Sequence, residues 1–91
     1  MSEVKCYSLD IPIDEFFDGM SAVPNESKMR LPIECKGYLG VNIDYRNGIA
    51  HHLYDTPKHR NKAYEKVKRQ LVCFINMQTA YVDKKYLKGL N

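Results

Sequence analysis

Asn47-Gly48 constrains this chain more than any other pair of its residues, because it sits between two runs that alternate like strands. Both residues tolerate positive φ, which is what a tight two-residue hairpin turn demands. Tyr38 to Arg46 and Ile49 to Tyr54 are therefore expected to pair antiparallel. A two-residue turn would set Tyr45 opposite Ala50, Ile43 opposite His52 and Val41 opposite Tyr54 on one side of the ribbon. Asp44 would then face His51, and Asn42 would face Leu53, on the other.

A hairpin needs something to cover it, and the next stretch supplies a candidate. From Thr56 to Gln78, Ala63, Tyr64, Val67, Leu71, Phe74, Ile75 and Gln78 fall on one side at a helical period. Lys58, Lys62, Lys66 and Arg69 fall on the other. Thr56 suits an N-cap and Pro57 the first helical position. The spacing predicts one long amphipathic helix with a basic outer side.

The position of that charge is informative. Lys58, His59, Arg60 and Lys62 crowd the helix start, where the macrodipole is already positive. A cation there disfavours the helix by roughly 0.3–1 kcal/mol at low salt. Free N–H groups beside cations suit an anion such as phosphate; a solvated Lys/Arg face is the plainer explanation. The charge is also segregated. Residues 1–27 hold one Lys against six acids, and the remainder holds thirteen Lys/Arg against five. Such asymmetry orients an electrostatic surface.

Elsewhere, Val4 to Leu9 alternates weakly as a first strand. Pro12 opens a short helix, Ile13 to Asp18, which Phe16, Phe17 and Met20 would dock and Gly19 would stop. Ser21 to Ser27 is a loop. Met29 to Cys35 has a period of two, and Pro32 confines such a strand to a sheet edge. Asp83 to Lys88 forms a last helical turn ended by Gly89. The expected fold is α+β within one domain, residues 1–91. A small antiparallel sheet, made of the edge strand and the Asn-Gly hairpin, carries the long basic helix and the short N-terminal helix on one face.

Cys6, Cys35 and Cys73 are odd in number and widely spaced, which argues against a disulfide framework or a thiolate zinc site. Each reads as a small buried apolar residue. His51 and His52 are adjacent, so on a strand they point to opposite faces and cannot chelate one ion. No metal or cofactor is expected. The Asp44–His51 cross-strand pair could prepare a general base, or be an exposed ion pair. Tyr45, Tyr54 and Tyr64 read as core-facing, which leaves Tyr38 better placed to stack on a base.

The hairpin followed by Pro57-Lys58-His59-Arg60-Asn61-Lys62-Ala63 resembles the end of a double-stranded-RNA-binding domain. In that family a lysine cluster at the start of the last helix meets phosphates across a groove. The similarity covers residues 38–75; the family's opening helix and loop motif have no match in this sequence, and no family is assigned. A hairpin-then-helix DNA reader is similar over the same stretch.

These patterns imply a small non-enzymatic nucleic-acid-binding protein, RNA preferred over DNA. Lys58, His59, Arg60, Lys62, Lys66 and Arg69 would contact phosphates, with Lys84, Lys85 and Lys88 extending the track. Two rival readings stand beside it. One is an inhibitor or antitoxin-like regulator whose basic face covers an acidic or RNA-binding surface of an enzyme, with or without RNA in the complex. The other is a small ribonuclease built on His51 and Asp44. The Pro32 edge leaves a homodimer open. No membrane-length apolar run occurs, and Met1 to Leu9 lacks a basic-then-apolar signal pattern, so a cytoplasmic location is the expectation.

Overall fold

The computed structural model describes residues 3–16 and 32–87. Four strands form one antiparallel sheet: β1 (Glu3–Pro12), β2 (Tyr38–Asp44), β3 (Ile49–Tyr54) and β4 (Asn76–Asp83), in the spatial order β2-β3-β1-β4. A single turn, α1 (Ile13–Phe16), follows β1, and the main helix, α2 (Pro57–Val67), lies between β3 and β4.

The expected architecture is corrected in three places. The long helix is 11 residues plus a three-residue 3-10 turn, Lys68–Gln70, and does not run on to Gln78. Within Leu71 to Ile75, Val72, Phe74 and Ile75 are β-branched or aromatic and lose side-chain freedom in a helix. Beyond it, Asn76–Asp83 pairs along β1 from Glu3↔Asp83 to Asp10↔Asn76. Eight ladder positions outweigh a helical period that two further turns of apolar spacing had suggested. The N-terminal helix is one turn of four residues, too short to cover a sheet face. Finally, Pro32 to Cys35 is not a strand. It crosses the core, where Ile33 is buried and its carbonyl accepts from the Tyr54 hydroxyl at 2.7 Å. The expected positions for Phe17, Gly19, Met20, the loop at 21–27, Met29 and Gly89 lie outside the described residues.

The hairpin forms, but its register moves by two. Ile43 pairs with Ala50, Asn42 with His51 and Val41 with His52. A two-residue type I′ turn needs positive φ at both centre residues; Gly48 has φ +71 and Asn47 does not. Asp44 decides the matter. Its carboxylate accepts from the Asn47 backbone N–H at 3.1 Å and from the Asn47 side-chain amide at 2.8 Å. This side-chain-built turn spans Tyr45–Gly48, the kind of local competition Asp and Asn offer. Tyr45 is thus outside the ladder and 79% exposed, not core-facing.

Apolar residues close both faces of the sheet. On the helix face Leu9, Ile11, Ala50 and Tyr54 meet Ile33, Ala63 and Val67. On the opposite face Cys6, Leu39 and Leu53 meet Leu87, carried there by a 3-10 turn, Lys84–Tyr86. Of the three cysteines only Cys6 is buried, and burial pushes its thiol up; Cys35 is half-buried and Cys73 exposed. Among the described residues no helix is long and apolar enough to cross a membrane.

Gly37 carries a test of this frame. With φ +83 it turns the chain into β2 and accepts from Asp55 N–H at 3.0 Å. A Cβ there would collide with the Asp55 carboxylate and the His59 ring. Gly37→Ala is expected to cost roughly 2 kcal/mol or more from left-handed backbone strain and displaced neighbours. Chemical denaturation measures it; a loss below about 0.5 kcal/mol would mean that the Asp55–His59 pair yields freely.

Candidate nucleic-acid interface

Thr56 caps α2, its hydroxyl accepting from His59 N–H at 3.1 Å, and Pro57 opens the first turn as its sequence demands. Ala63 and Val67 point into the core. That orientation leaves Lys58, Lys62, Lys66 and Arg69 exposed along the outer side. Among the described residues no carboxylate comes within ion-pair distance of these four. Glu65, the helix's single acid, is taken by Lys68 at 2.8 Å.

The other cations of the helix start are spoken for. His59 Nδ1 lies 2.6 Å from Asp55 Oδ1, so the imidazole is tied back to the loop before the helix. Arg60 turns inward across the sheet: its guanidinium lies 5.8 Å from the Tyr7 ring centre and donates to the Gln78 carbonyl at 3.4 Å. The crowding read from the sequence is therefore relieved largely inside the molecule. What remains outward is the stripe of Lys58, Lys62, Lys66 and Arg69. Lys84 and Lys85 are exposed too, but their segment packs on the opposite sheet face. They do not continue the α2 stripe. Lys88 lies outside the described residues.

Asp44 and His51 are not partners. Asp44 is held below the usual carboxylate range, first by the Asn47 side-chain donation and then by the Asn47 backbone N–H. His51 instead meets Asp10 across β1 and β3, Nδ1 to Oδ1 at 2.7 Å. Asp10 is buried, and its second oxygen accepts from the Gln78 side chain at 2.7 Å. Facing a carboxylate oxygen, His51 makes this contact in the tautomer whose Nδ1 carries the hydrogen and donates it. Nothing local marks this pair, since it joins residues 41 apart in the chain.

His52 is fully buried on the helix face, and burial, followed by the nearby His51, lowers its pKa to about 4. Tyr38 is not free to stack: its ring packs edge-on against Tyr54 at 5.6 Å. Tyr64 is half-buried and packs on Phe74 at 4.9 Å. Sequence reasoning missed Lys5, Tyr7 and Tyr81. Their period-two spacing in β1 and β4 was the available signal; the expected helix took the first three residues of β4, and Tyr81 fell in the stretch after Gln78 where no element was expected.

Val72, Phe74 and Ile75, assigned to the loop and not to a helix, are also exposed, Val72 by 95%. Glu15 holds this loop, its carboxylate accepting from the N–H groups of Val72 and Cys73. Among the described residues no group of three His, Cys, Asp or Glu side chains converges as a metal site.

No family model matches the chain, and neither a curated protein nor a solved structure matches it at a significant level. The resemblance to the end of a double-stranded-RNA-binding domain also stops at the helix, which is not the last element: β4 follows it and completes the sheet.

Proposed function

We propose that this is a small non-enzymatic nucleic-acid-binding protein, RNA preferred, that holds phosphates along the outer side of α2 in a cytoplasmic setting. The observation that carries the reading is the stripe of Lys58, Lys62, Lys66 and Arg69, exposed and without a carboxylate partner among the described residues. The whole segment Pro57–Gln70 holds six Lys/Arg against one acid. Cations so placed give affinity with little sequence choice and a steep dependence on salt.

The test replaces Lys58, Lys62 and Lys66 together with Gln and follows labelled RNA by anisotropy across a salt series. Three lost phosphate contacts should reduce the salt slope by about 2–3 and weaken binding roughly ten- to a hundredfold near 0.1 M salt. The thermal midpoint should stay equal or rise, because Lys58 opposes the helix dipole. An unchanged slope ends the proposal.

One observation favours a rival. Val72, Phe74 and Ile75 form an exposed apolar tip, which suits a regulator that covers a protein surface. A stoichiometric protein that stays bound through nuclease and high salt would mark that alternative. The ribonuclease reading now rests on His51 with Asp10, and failure of the wild-type protein to cleave RNA removes it.

A further inference from the structure

The two edges of the sheet are unlike. At one edge β2 is blunted: its pairing with β3 shifts register between Tyr38 and Gly40, and it ends on the charged Asp44. Bulges and charges of this kind keep other strands from adding. At the other edge β4 has no such protection. It pairs with β1 without a break, and Asn76 to Val82 contains no charged residue, proline or glycine. Its backbone is also turned the right way. The Gln78 carbonyl accepts from the Ser8 hydroxyl at 3.3 Å and from Arg60, which lies over the Tyr7 ring, at 3.4 Å, so it faces β1. Strand groups alternate, so the N–H and C=O of Met77, Thr79 and Tyr81 point to the open edge. Thr79 and Tyr81 are exposed, Tyr81 by 65%.

We propose that β4 pairs antiparallel with β4 of a second copy of this chain, about a two-fold axis through Thr79, joining the two four-stranded sheets into one. That register sets Thr79 against Thr79 and Met77 against Tyr81 of the other copy, twice over, as an isologous contact must. All three residues offer outward backbone groups, so the new ladder holds about six hydrogen bonds. Their partners on β1 are Leu9, Tyr7 and Lys5, which puts their side chains on the α2 face. There a threonine pair, and a thioether beside a phenol ring, are each favourable. The one charge of each β4, Asp83, falls at opposite ends of the junction, so no like charges meet. An unrelated strand could match the backbone; a second copy matches the side chains as well. A two-fold axis normal to the sheet leaves its faces unchanged, so both α2 stripes stand on the same side of the joined sheet. The pairing itself needs no nucleic acid. Joint use of the stripes rests on the nucleic-acid reading above, and two linked stripes hold one RNA more tightly than either alone.

The experiment measures mass by sedimentation, without nucleic acid, from micromolar to near-millimolar protein, for wild type, Thr79→Lys, Thr79→Glu and an equal mixture of the two variants. Wild type should reach twice its 10.6 kDa. Each variant alone should stay at the single-chain mass, because like charges then meet across the axis, and the mixture should regain the double mass. Thr79 is exposed, so both variants are expected to fold, and a thermal melt checks it; the wild-type series stands without them. A labelled RNA duplex of about 40 base pairs should bind each variant at least tenfold more weakly than paired wild type, and the mixture like wild type. A single-chain wild type at every concentration, double mass in both variants, or a mixture that stays single overturns the β4 pairing. Equal RNA affinity in paired and single chains overturns the joint use of the stripes. Absence of RNA binding by wild type ends the helix reading and leaves the pairing, which is measured without RNA.

Discussion

Tyr54→Ala is expected to remove about 5 kcal/mol of stability. Tyr54 is the largest fully buried side chain among the described residues and belongs to the core under α2. Truncating a buried aromatic ring costs roughly 3–5 kcal/mol through lost burial and a residual cavity. Here the Ile33 carbonyl also loses its 2.7 Å hydroxyl donor, a further 1–3 kcal/mol or so where a buried acceptor is stranded. Burial pushes the Tyr54 hydroxyl above its ordinary range, so it stays a donor at any pH the fold tolerates. Tyr54→Phe separates the two contributions: it keeps the ring and should cost only about 1–2 kcal/mol. Urea midpoints at constant slope measure both. Equal losses in the two variants would show that the hydroxyl, and not the ring, holds residues 32–37 onto the sheet.

Acid should destabilise the protein through His52. Its folded pKa of about 4 lies below the ordinary 6.5, because burial, and then the charge of neighbouring His51, disfavours the protonated ring. Between those values the unfolded chain binds the additional proton. Stability from this residue is therefore complete above about pH 6.5 and is lost as pH falls towards 4. At ~1.36 kcal/mol per unit the loss reaches about 3 kcal/mol. Asp44 adds its own loss only further down, below its ordinary 3.8, since Asn47 holds its carboxyl under that value. Comparison with His52→Leu isolates the histidine. The variant should show a visibly shallower fall in midpoint between pH 6.5 and 4; parallel curves would remove His52 as its cause.

The two effects meet in one place. His52 and Tyr54 lie on the same face of β3, with the Tyr38 ring against both, 6.2 Å from the imidazole and 5.6 Å from the phenol. This packed row lies beneath α2, on which the basic stripe is mounted. A loss here would loosen the helix on the sheet and weaken binding without removing any cation. Stability and affinity should therefore be measured together for every variant in this row.

What the sequence determined by itself is local. The strands around Asn47-Gly48, the Thr56 cap with Pro57, the inward Ala63 and Val67, and the outward Lys58, Lys62 and Lys66 all follow from spacing and neighbouring chemistry, and each is present. What only the tertiary structure decided involves competition between distant partners. Asn76–Asp83 has apolar spacing compatible with either period, and the free edge of β1 selected the strand. That choice ended the helix at Gln70 and brought Tyr81 beside Lys5. Asp44 took Asn47 and so shifted the hairpin by two residues. His51 accordingly found Asp10, from a strand that no local pattern connects to it. Periodicity specifies which side of an element is apolar, because that depends on a few adjacent residues. Which strand edge or carboxylate satisfies a given donor depends on everything else that could, and is settled only when the whole chain has packed.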